Sequence, residues 1–293
     1  MGWSELDNDI VLNQKTAISS FCERINFGGS ISIIEERDLG LQAEDDVEIL
    51  SFTKADTLMS KIIITIPAYN EENAIGNTIN SIKKEMNKTK YHKNYIILVV
   101  NDGSSDNTVE EASQAGAYVF TNKRNLGLSF TFQTEIKICL ELGADIIVHT
   151  DADEQYPANK IPRLIEQVEL GYDLVLGSRF KGTIESMSWM KRFGNLAFSI
   201  VISALSNQII SDSQTGFRAF TNKVAKEIPI ISDHTYTQEQ IIRAARNRYN
   251  IKEIPIYFTK RRNGTSRLIR SPFEYAVRAW KNILKIYLSK SKK

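Results

Sequence analysis

His149-Thr150-Asp151-Ala152-Asp153-Glu154-Gln155-Tyr156-Pro157 is the stretch on which the reading of this chain turns. An apolar run, Ile146-Ile147-Val148, stops there at two acids one residue apart. A parallel strand buried on both faces reads this way, and it releases its carboxylates at the carboxyl end of the sheet, where open α/β sheets bind their ligands. Two carboxylates and an amide oxygen at that edge make an oxygen-rich site suited to Mg2+ or Mn2+, which in turn holds a diphosphate. The same residues also read as a polar turn before a helix, with Asp153 or Asn159 as N-cap. Taken alone, the stretch leaves both readings open.

Upstream, Ile62-Ile63-Ile64-Thr65-Ile66 is a β-branched run ended by Pro67 and reads as a first buried strand. Tyr95 to Val100 is a second, ended by Asn101-Asp102-Gly103-Ser104-Ser105-Asp106. Ala117 to Thr121, Ala144 to His149 and Asp173 to Gly177 follow as further strands. Helices are expected between them, from Asn70-Glu71-Glu72 to about Met86, from the Asp106 cap to about Gln114, over Leu128 to Leu142 and over Ile161 to Glu169. This alternation predicts an α/β fold with a mostly parallel, Rossmann-like sheet flanked by helices.

Beyond Phe180 the pattern changes. Met190 to Asn207 reads as an amphipathic helix whose Phe193, Ala197, Ile200 and Ala204 face is expected in the core. Asp212 to Phe220 is a loop entering a strand, Gln238 to Asn247 a helix, Ile251 to Phe258 a strand, and Pro272 to Leu288 a terminal amphipathic helix. The expected organisation is an N-terminal extension over 1–60, a catalytic domain over 61–271 and a basic C-terminal helix over 272–293. The extension reads as a helix plus a short strand at Ile31 to Ile34, with no legible role.

A 42% hydrophobic and 25% charged composition is that of a soluble globular protein. Cys22 and Cys139 lack metal-ligand spacing and suit a reducing compartment. No secretory signal is legible in Met1 to Asn13, and no apolar run is long enough to span a bilayer. The net charge of +2 hides an asymmetry: acids crowd residues 1–60, whereas from Lys260 onward Glu274 is the only one. Such a tail fits an anionic membrane surface, a phosphorylated ligand or nucleic acid, although no base-reading module supports the last. The strand ends at Pro67 to Glu71, Asp102-Gly103 and Asp151 to Asp153 should converge on one crevice. Gly-x-Gly-x-x-Gly after the first strand and the P-loop pattern are both missing, so acids and a metal, rather than glycine amides, would build a nucleotide pocket here.

At these residues the chain resembles family 2 glycosyltransferases of the GT-A fold. The resemblance is carried in order by Ile66-Pro67-Ala68-Tyr69-Asn70-Glu71-Glu72, Val100 to Asp106, Asn125-Leu126-Gly127, Asp151 to Pro157 and Gly177-Ser178-Arg179. Asp212 to Phe220, Glu253-Ile254-Pro255-Ile256 and Arg261 to Arg267 resemble the dolichyl-phosphate mannose synthase branch, especially its archaeal-type members. The likeness runs from about Lys61 to Leu288.

The resemblance implies that Pro67, Ala68, Tyr69 and Glu71 line the base and ribose pocket, that Asp102 grips the nucleoside and that Asp151 sits on the ribose and sugar side. Asp153 and Gln155 would ligate the Mg2+ or Mn2+ ion. Arg179 and Arg192 would face the donor sugar or acceptor phosphate, Glu239 would be a further catalytic acid, and Arg261, Ser266 and Arg267 would close over the phosphates. The implied reaction is inverting transfer from a nucleotide sugar (GDP-mannose, UDP-glucose or UDP-N-acetylglucosamine) to dolichyl or polyprenyl phosphate. The implied setting is the cytoplasmic face of a membrane, held peripherally. Trp280, Ile283, Leu284 and Tyr287 share a face with the composition of an interfacial helix, or of a helix packed on the domain. His149 reads as a packed histidine rather than a ligand. Arg267 stands where the family has lysine, keeping the charge and altering the geometry. Gln240-Ile241-Ile242-Arg243-Ala244 lacks the tryptophan of processive synthases. The rival readings are a family 2 transferase with a saccharide acceptor, and a non-catalytic nucleotide- or membrane-binding protein.

Overall fold

Strand β1 (Ile62–Ala68) is buried along its whole length because both of its faces meet apolar layers. Its side chains alternate between them: Ile63 joins one core cluster, and Ile62, Ile64 and Ile66 the other. The same alternation divides β2 (Tyr95–Asn101), with Leu98 and Val100 on one side and Ile97 and Val99 on the other. In β4 (Ile146–His149), Ile147 faces one layer, and Ile146 and Val148 the opposite one. These strands therefore read as unbroken apolar runs. The computed structural model describes residues 8–23, 25, 60–232 and 235–261, with Trp280, Asn282, Ile283 and Ile286 of the C-terminal segment.

Helices α2 (Ile75–Met86) and α5 (Ile161–Glu169) supply one layer through Ile75, Ile79, Ile82, Ile161, Leu164 and Ile165. The opposite layer draws Phe132 and Ile136 from α4 (Leu128–Glu141), Phe198 and Ile202 from α6 (Trp189–Ser206), and Ile241 and Ile242 from α8 (Tyr236–Arg246). Helix α1 (Asn8–Glu23) joins that layer through Ile18 and Phe21, the latter edge-on to Phe120. Short α3 (Thr108–Gln114) and α7 (Asn222–Glu227) are two further helices.

The sheet runs β3 (Tyr118–Thr121), β2, β1, β4, β6 (Arg218–Thr221), β5 (Leu174–Ile184), β7 (Ile251–Phe258). All its pairings are parallel except those of β6, which is antiparallel to β4 and β5. The α/β, mostly parallel expectation holds. Because β6 enters where its neighbours leave, with Arg218 opposite His149, the loop before it lies at the same edge as Asp151. The register of β1 with β2, Ala68 opposite Asn101, brings the first two strand exits to that edge, and parallel β5 and β7 bring theirs.

Two boundaries and one added helix are the larger differences from the sequence reading. Helix α2 starts at Ile75, because Asn70 takes a left-handed φ of 54° and residues 70–72 form a loop. Strand β5 runs on to Ile184 past a break in its pairing with β7 between Ser178 and Thr183. At Gly182 a Cβ would lie 1.8 Å from the Ile256 carbonyl oxygen, so only glycine allows that approach. Helix α7 follows β6 directly where no helix was expected.

One amphipathic face falls differently, and on another the structure favours one of two readings. Helix α6 turns Phe198, Ser199 and Ile202 inward and leaves Trp189, Phe193 and Ile200 at 77%, 71% and 63% exposure. The Phe193/Ile200 stripe is therefore surface, not core. On the C-terminal segment Ile283 and Ile286 are buried in the α4/α6/α8 layer, Trp280 packs tilted against Phe198 at 6.0 Å between ring centroids, and Arg246 donates to the Ile286 carbonyl at 3.1 Å. The described part of that segment packs on the domain. The expected strand at Ile31 to Ile34, Ser266, Arg267 and the rest of the 272–288 helix lie outside the described residues.

Candidate active site

At the carboxyl edge, the loop after β1 and the loop after β2 are laced into one unit. The Asn70 amide donates to Ser104 Oγ at 2.9 Å, and Ser105 N–H returns a bond to Asn70 Oδ1 at 2.8 Å. Glu71 N–H donates to Thr108 Oγ1 and Glu72 N–H to Asp106, while Asn107 N–H donates to Glu72 Oε2. Pro67 and Ala68 end β1 in the core, Tyr69 is exposed at 38%, and Glu71 is half-buried. Asp102 is buried and holds three hydrogen bonds: Oδ1 accepts from Asn122 Nδ2 and Leu126 N–H, and Oδ2 from Gly127 N–H at 2.8 Å. Its visible part is to brace the Asn125-Leu126-Gly127 turn against the β2 exit. Gly103, at φ +71°, lets that turn cross close by, its Cβ position lying 2.7 Å from the Arg124 carbonyl carbon.

The β4 exit is stitched to the β7 exit. Thr259 N–H and Oγ1 both donate to the Gln155 carbonyl, and Gln155 Nε2 donates to the Thr259 carbonyl at 3.0 Å. This seats Arg261 between two acids. Its Nε donates to Asp153 Oδ2 at 3.1 Å, and a terminal nitrogen donates to Glu71 Oε1 at 2.8 Å. Glu71, Asp153 and Arg261 come from three distant segments, and the fold brings them into contact. Asp151 lies on the same edge against Gly216, where a Cβ would stand 3.0 Å from Asp151 Oδ1. Tyr156, which stacks on Phe217 at 5.2 Å, accepts the Gly216 N–H and fixes that loop. Desolvation, and then the neighbouring Asp153 charge, push the Asp151 carboxyl up to about 6.

Two crowded carboxylates, one of them desolvated, and an amide that gives its N–H to Thr259 while keeping its oxygen form a donor set that fits a hard divalent cation. Among the described residues no three acid, histidine or cysteine side chains gather into a closed cage. Mg2+-type ions carried by a phosphate substrate are commonly held by one or two carboxylates, with phosphate and water completing the shell.

The other expected residues have more constrained surroundings. Arg179 is buried in a two-pronged pair with Asp212, Nε to Oδ2 at 2.7 Å and Nη2 to Oδ1 at 2.8 Å, and lies over the Phe258 ring. Glu253 holds the loop that presents Asp212, accepting Ser211 N–H, Ser211 Oγ and Asp212 N–H, and it pairs with Lys181 at 2.8 Å. Sequence reasoning missed Asp212 and Glu253 as the brace of Arg179, because the partner lies 33 residues away. Glu239 is buried with its carboxylate accepting Ile231 N–H, Ser232 N–H and Arg243 Nε. Its observed part is to brace the 231–232 loop. Arg192 sits exposed in the first turn of α6, beside Trp189 and Phe193.

Residues 63–229 match the family described as Glycosyl transferase family 2. A dolichyl-phosphate hexose transferase of Haloferax volcanii is 30% identical over 78% of this chain and 94% of its own length. A UDP-N-acetylglucosamine–dolichyl-phosphate N-acetylglucosaminyltransferase of Methanococcus voltae is 33% identical over 67% of this chain and 84% of its own. Among solved structures, glucosyl-3-phosphoglycerate synthase of Mycobacterium tuberculosis, in complex with Mn2+, UDP and glucosyl-3-phosphoglycerate, superposes with a TM-score of 0.59. It is 18% identical and covers 79% of this chain and 80% of its own, a likeness of fold.

The raised Asp151 carboxyl has a consequence for stability. Between its unfolded value of 3.8 and about 6 the folded state binds the extra proton, so this group lowers stability as pH rises through that window. Asp151→Asn should therefore raise the unfolding midpoint at pH 7.5 in chelator-containing buffer, with the gain shrinking as pH falls through about 6 toward 4. Thermal unfolding of both proteins across that range checks it; a gain independent of pH would contradict this electrostatic assignment.

Proposed function

This chain belongs to glycosyl transferase family 2, and on that premise we propose that it moves a sugar from a nucleotide-sugar donor to dolichyl or polyprenyl phosphate, with Mg2+ or Mn2+ and with inversion at the anomeric carbon. That it is a glycosyltransferase of this fold follows from the family match; donor, acceptor, metal and residue roles are our reading. The observation that carries it is the meeting of Glu71, Asp153 and Arg261 at the sheet edge where Asp151 also emerges. The relatives' names support a dolichyl phosphate acceptor.

Residues 61–271 form the catalytic unit in this reading. Pro67, Ala68, Tyr69 and Glu71 line the nucleoside side, and Asp102 shapes that pocket through the turn it braces. Asp151 faces the donor sugar. Asp153 and Gln155 hold the divalent cation, which supplies positive charge to the diphosphate leaving group when bound. Arg261, already placed between two acids, turns its guanidinium to the phosphates as these arrive, and Ser266 and Arg267 follow it in sequence. A phosphate acceptor is anionic before it attacks, so the site needs to position and neutralise it rather than deprotonate it. Arg179 is locked by Asp212 and shapes the wall, whereas Arg192, exposed on α6, meets the acceptor phosphate in this reading.

The acceptor's lipid requires contact with a membrane surface. The exposed Trp189, Met190, Phe193, Leu196 and Ile200 of α6, flanked by Lys191 and Arg192, have the chemistry of such a contact. No described helix is long and apolar enough to cross a bilayer, so attachment through this face would be peripheral. The free thiols of Cys22 and Cys139 suit the cytoplasmic side.

Incubation with labelled GDP-mannose, UDP-glucose or UDP-N-acetylglucosamine and dolichyl phosphate should give an organic-extractable product with at least one donor, lost on chelation. Asp153→Ala should lower the rate by about 100-fold or more while the circular dichroism spectrum is unchanged. A product from no donor, or only with a soluble saccharide acceptor, would defeat the proposal. In flotation with anionic vesicles, Phe193→Glu/Ile200→Glu should release a protein that otherwise floats; unchanged flotation would remove α6 as the contact.

A further inference from the structure

On the layer formed by α4 and α8, a chain of buried polar groups runs up to the site edge, and no role above uses it. Glu135 of α4, His149 at the end of β4 and Thr65 of β1 are all fully buried. Glu135 Oε2 accepts from Thr65 Oγ1 at 3.0 Å and meets His149 Nδ1 at 2.7 Å. The other imidazole nitrogen, Nε2, lies 3.3 Å from the Tyr236 phenol oxygen. Phe132 walls the chain, edge-on to His149 at 4.9 Å and against Tyr236 at 4.6 Å.

The phenol end reaches the Gly216 loop. The Cβ position at Gly216 lies 3.5 Å from the Tyr236 oxygen and 3.0 Å from Asp151 Oδ1, so both oxygens flank one small gap. Desolvation, and next the charge of Asp151, push the Tyr236 phenol well above its usual value, so it keeps its hydrogen. Arg218, opposite His149 across the β4–β6 pair, lies over the same ring and donates to the Thr215 and Thr237 carbonyls and Gln240 Oε1.

Stability alone does not explain such a chain. Burying a carboxylate and an imidazole costs more than packing aliphatics of the same volume, and Glu135 Oε1 has no hydrogen-bond partner among the described residues. What the chain supplies is orientation. A carboxylate only accepts, so Glu135 places the hydrogen on Nδ1 and fixes the ring plane, and Nε2 then fixes the phenol. His149 is two residues before Asp151 on the same strand exit. A ring held from α4 and α8 therefore holds the backbone that delivers the carboxylate.

We infer that Glu135, His149 and Tyr236 are positioning residues for Asp151: a carboxylate–imidazole–phenol chain that holds the β4 exit and the Gly216 loop in register with the donor sugar. The inference rests on the proposed donor-facing role of Asp151. Displacing a reacting group by a fraction of an ångström costs on the order of tenfold or more in rate.

Tyr236→Phe removes only the hydroxyl and keeps the ring against Phe132, and Glu135→Gln keeps an acceptor for His149 where Glu135→Leu does not. Steady-state kinetics should show kcat down about tenfold in Tyr236→Phe with acceptor KM unchanged, and down further in Glu135→Leu, with most of the rate restored in Glu135→Gln. Unfolding midpoints and the active fraction, counted by donor-nucleotide binding, separate this from a packing role. Wild-type kcat per folded Tyr236→Phe molecule, or equal loss in both Glu135 variants, would overturn the inference. Asp151→Ala, measured alongside, separates its failure from that of the underlying reading: an active Asp151→Ala defeats the donor role itself, whereas an inactive one beside a fully active Tyr236→Phe defeats only the positioning chain.

Discussion

Where β4 leaves the sheet it releases two carboxylates one residue apart, and their mutual repulsion must be balanced by something. In the protein alone, part of the balance is the Arg261 guanidinium, which contacts Asp153 and Glu71 together. Much of the surrounding structure serves this arrangement. Antiparallel β6 returns along β4 and carries Gly216 to Asp151, where no side chain would fit at ordinary spacing. Parallel β7 delivers Thr259, which ties the 153–155 turn down from the other side. A one-residue slip of β4 would turn both acids and the alternation of Ile146, Ile147 and Val148 to the wrong faces at once.

The strands that set this edge were legible because burial on both faces turns them into continuous apolar runs, as in Ile62 to Ile66 and Tyr95 to Val100. Their exits were legible as polar turns. Hidden from the sequence were the partners of those turns. Asn70 to Glu72 reads as a helix start, yet its amides and side chains are taken by Ser104 to Thr108 from the next strand exit. Asp102 reads as a group for the ligand, and its oxygens are occupied by amides that arrive 24 and 25 residues later. Arg179 reads as a free cation until Asp212 is folded onto it. Local pattern names the polar residues of an edge; which of them remain available depends on contacts between segments.

Amphipathic helices show the same limit from the apolar side. Periodicity says that a face is covered, not by what. Helix α6 has apolar residues most of the way round, so its sequence could not tell Phe198 and Ile202, which face the core, from Phe193 and Ile200, which do not. The C-terminal segment has one apolar face, and its described members Ile283 and Ile286 are in the core. The membrane contact we propose is therefore α6, on whose first turn Arg192 also stands.

His149 joins the two themes. It is a packed histidine, as its place inside an apolar strand suggested, but one packed among a carboxylate, a phenol and an aromatic ring rather than aliphatics. The carboxylate edge beyond it is the site we propose for a divalent cation and a diphosphate. Calorimetric titration of GDP and of UDP into the protein, with Mn2+ and then with excess chelator, tests it most directly. At least one nucleotide should bind with Mn2+, chelation should abolish the binding, and Asp153→Ala should fail to bind in either buffer. Equal binding with and without the metal, or undiminished metal-dependent binding in Asp153→Ala, would contradict it.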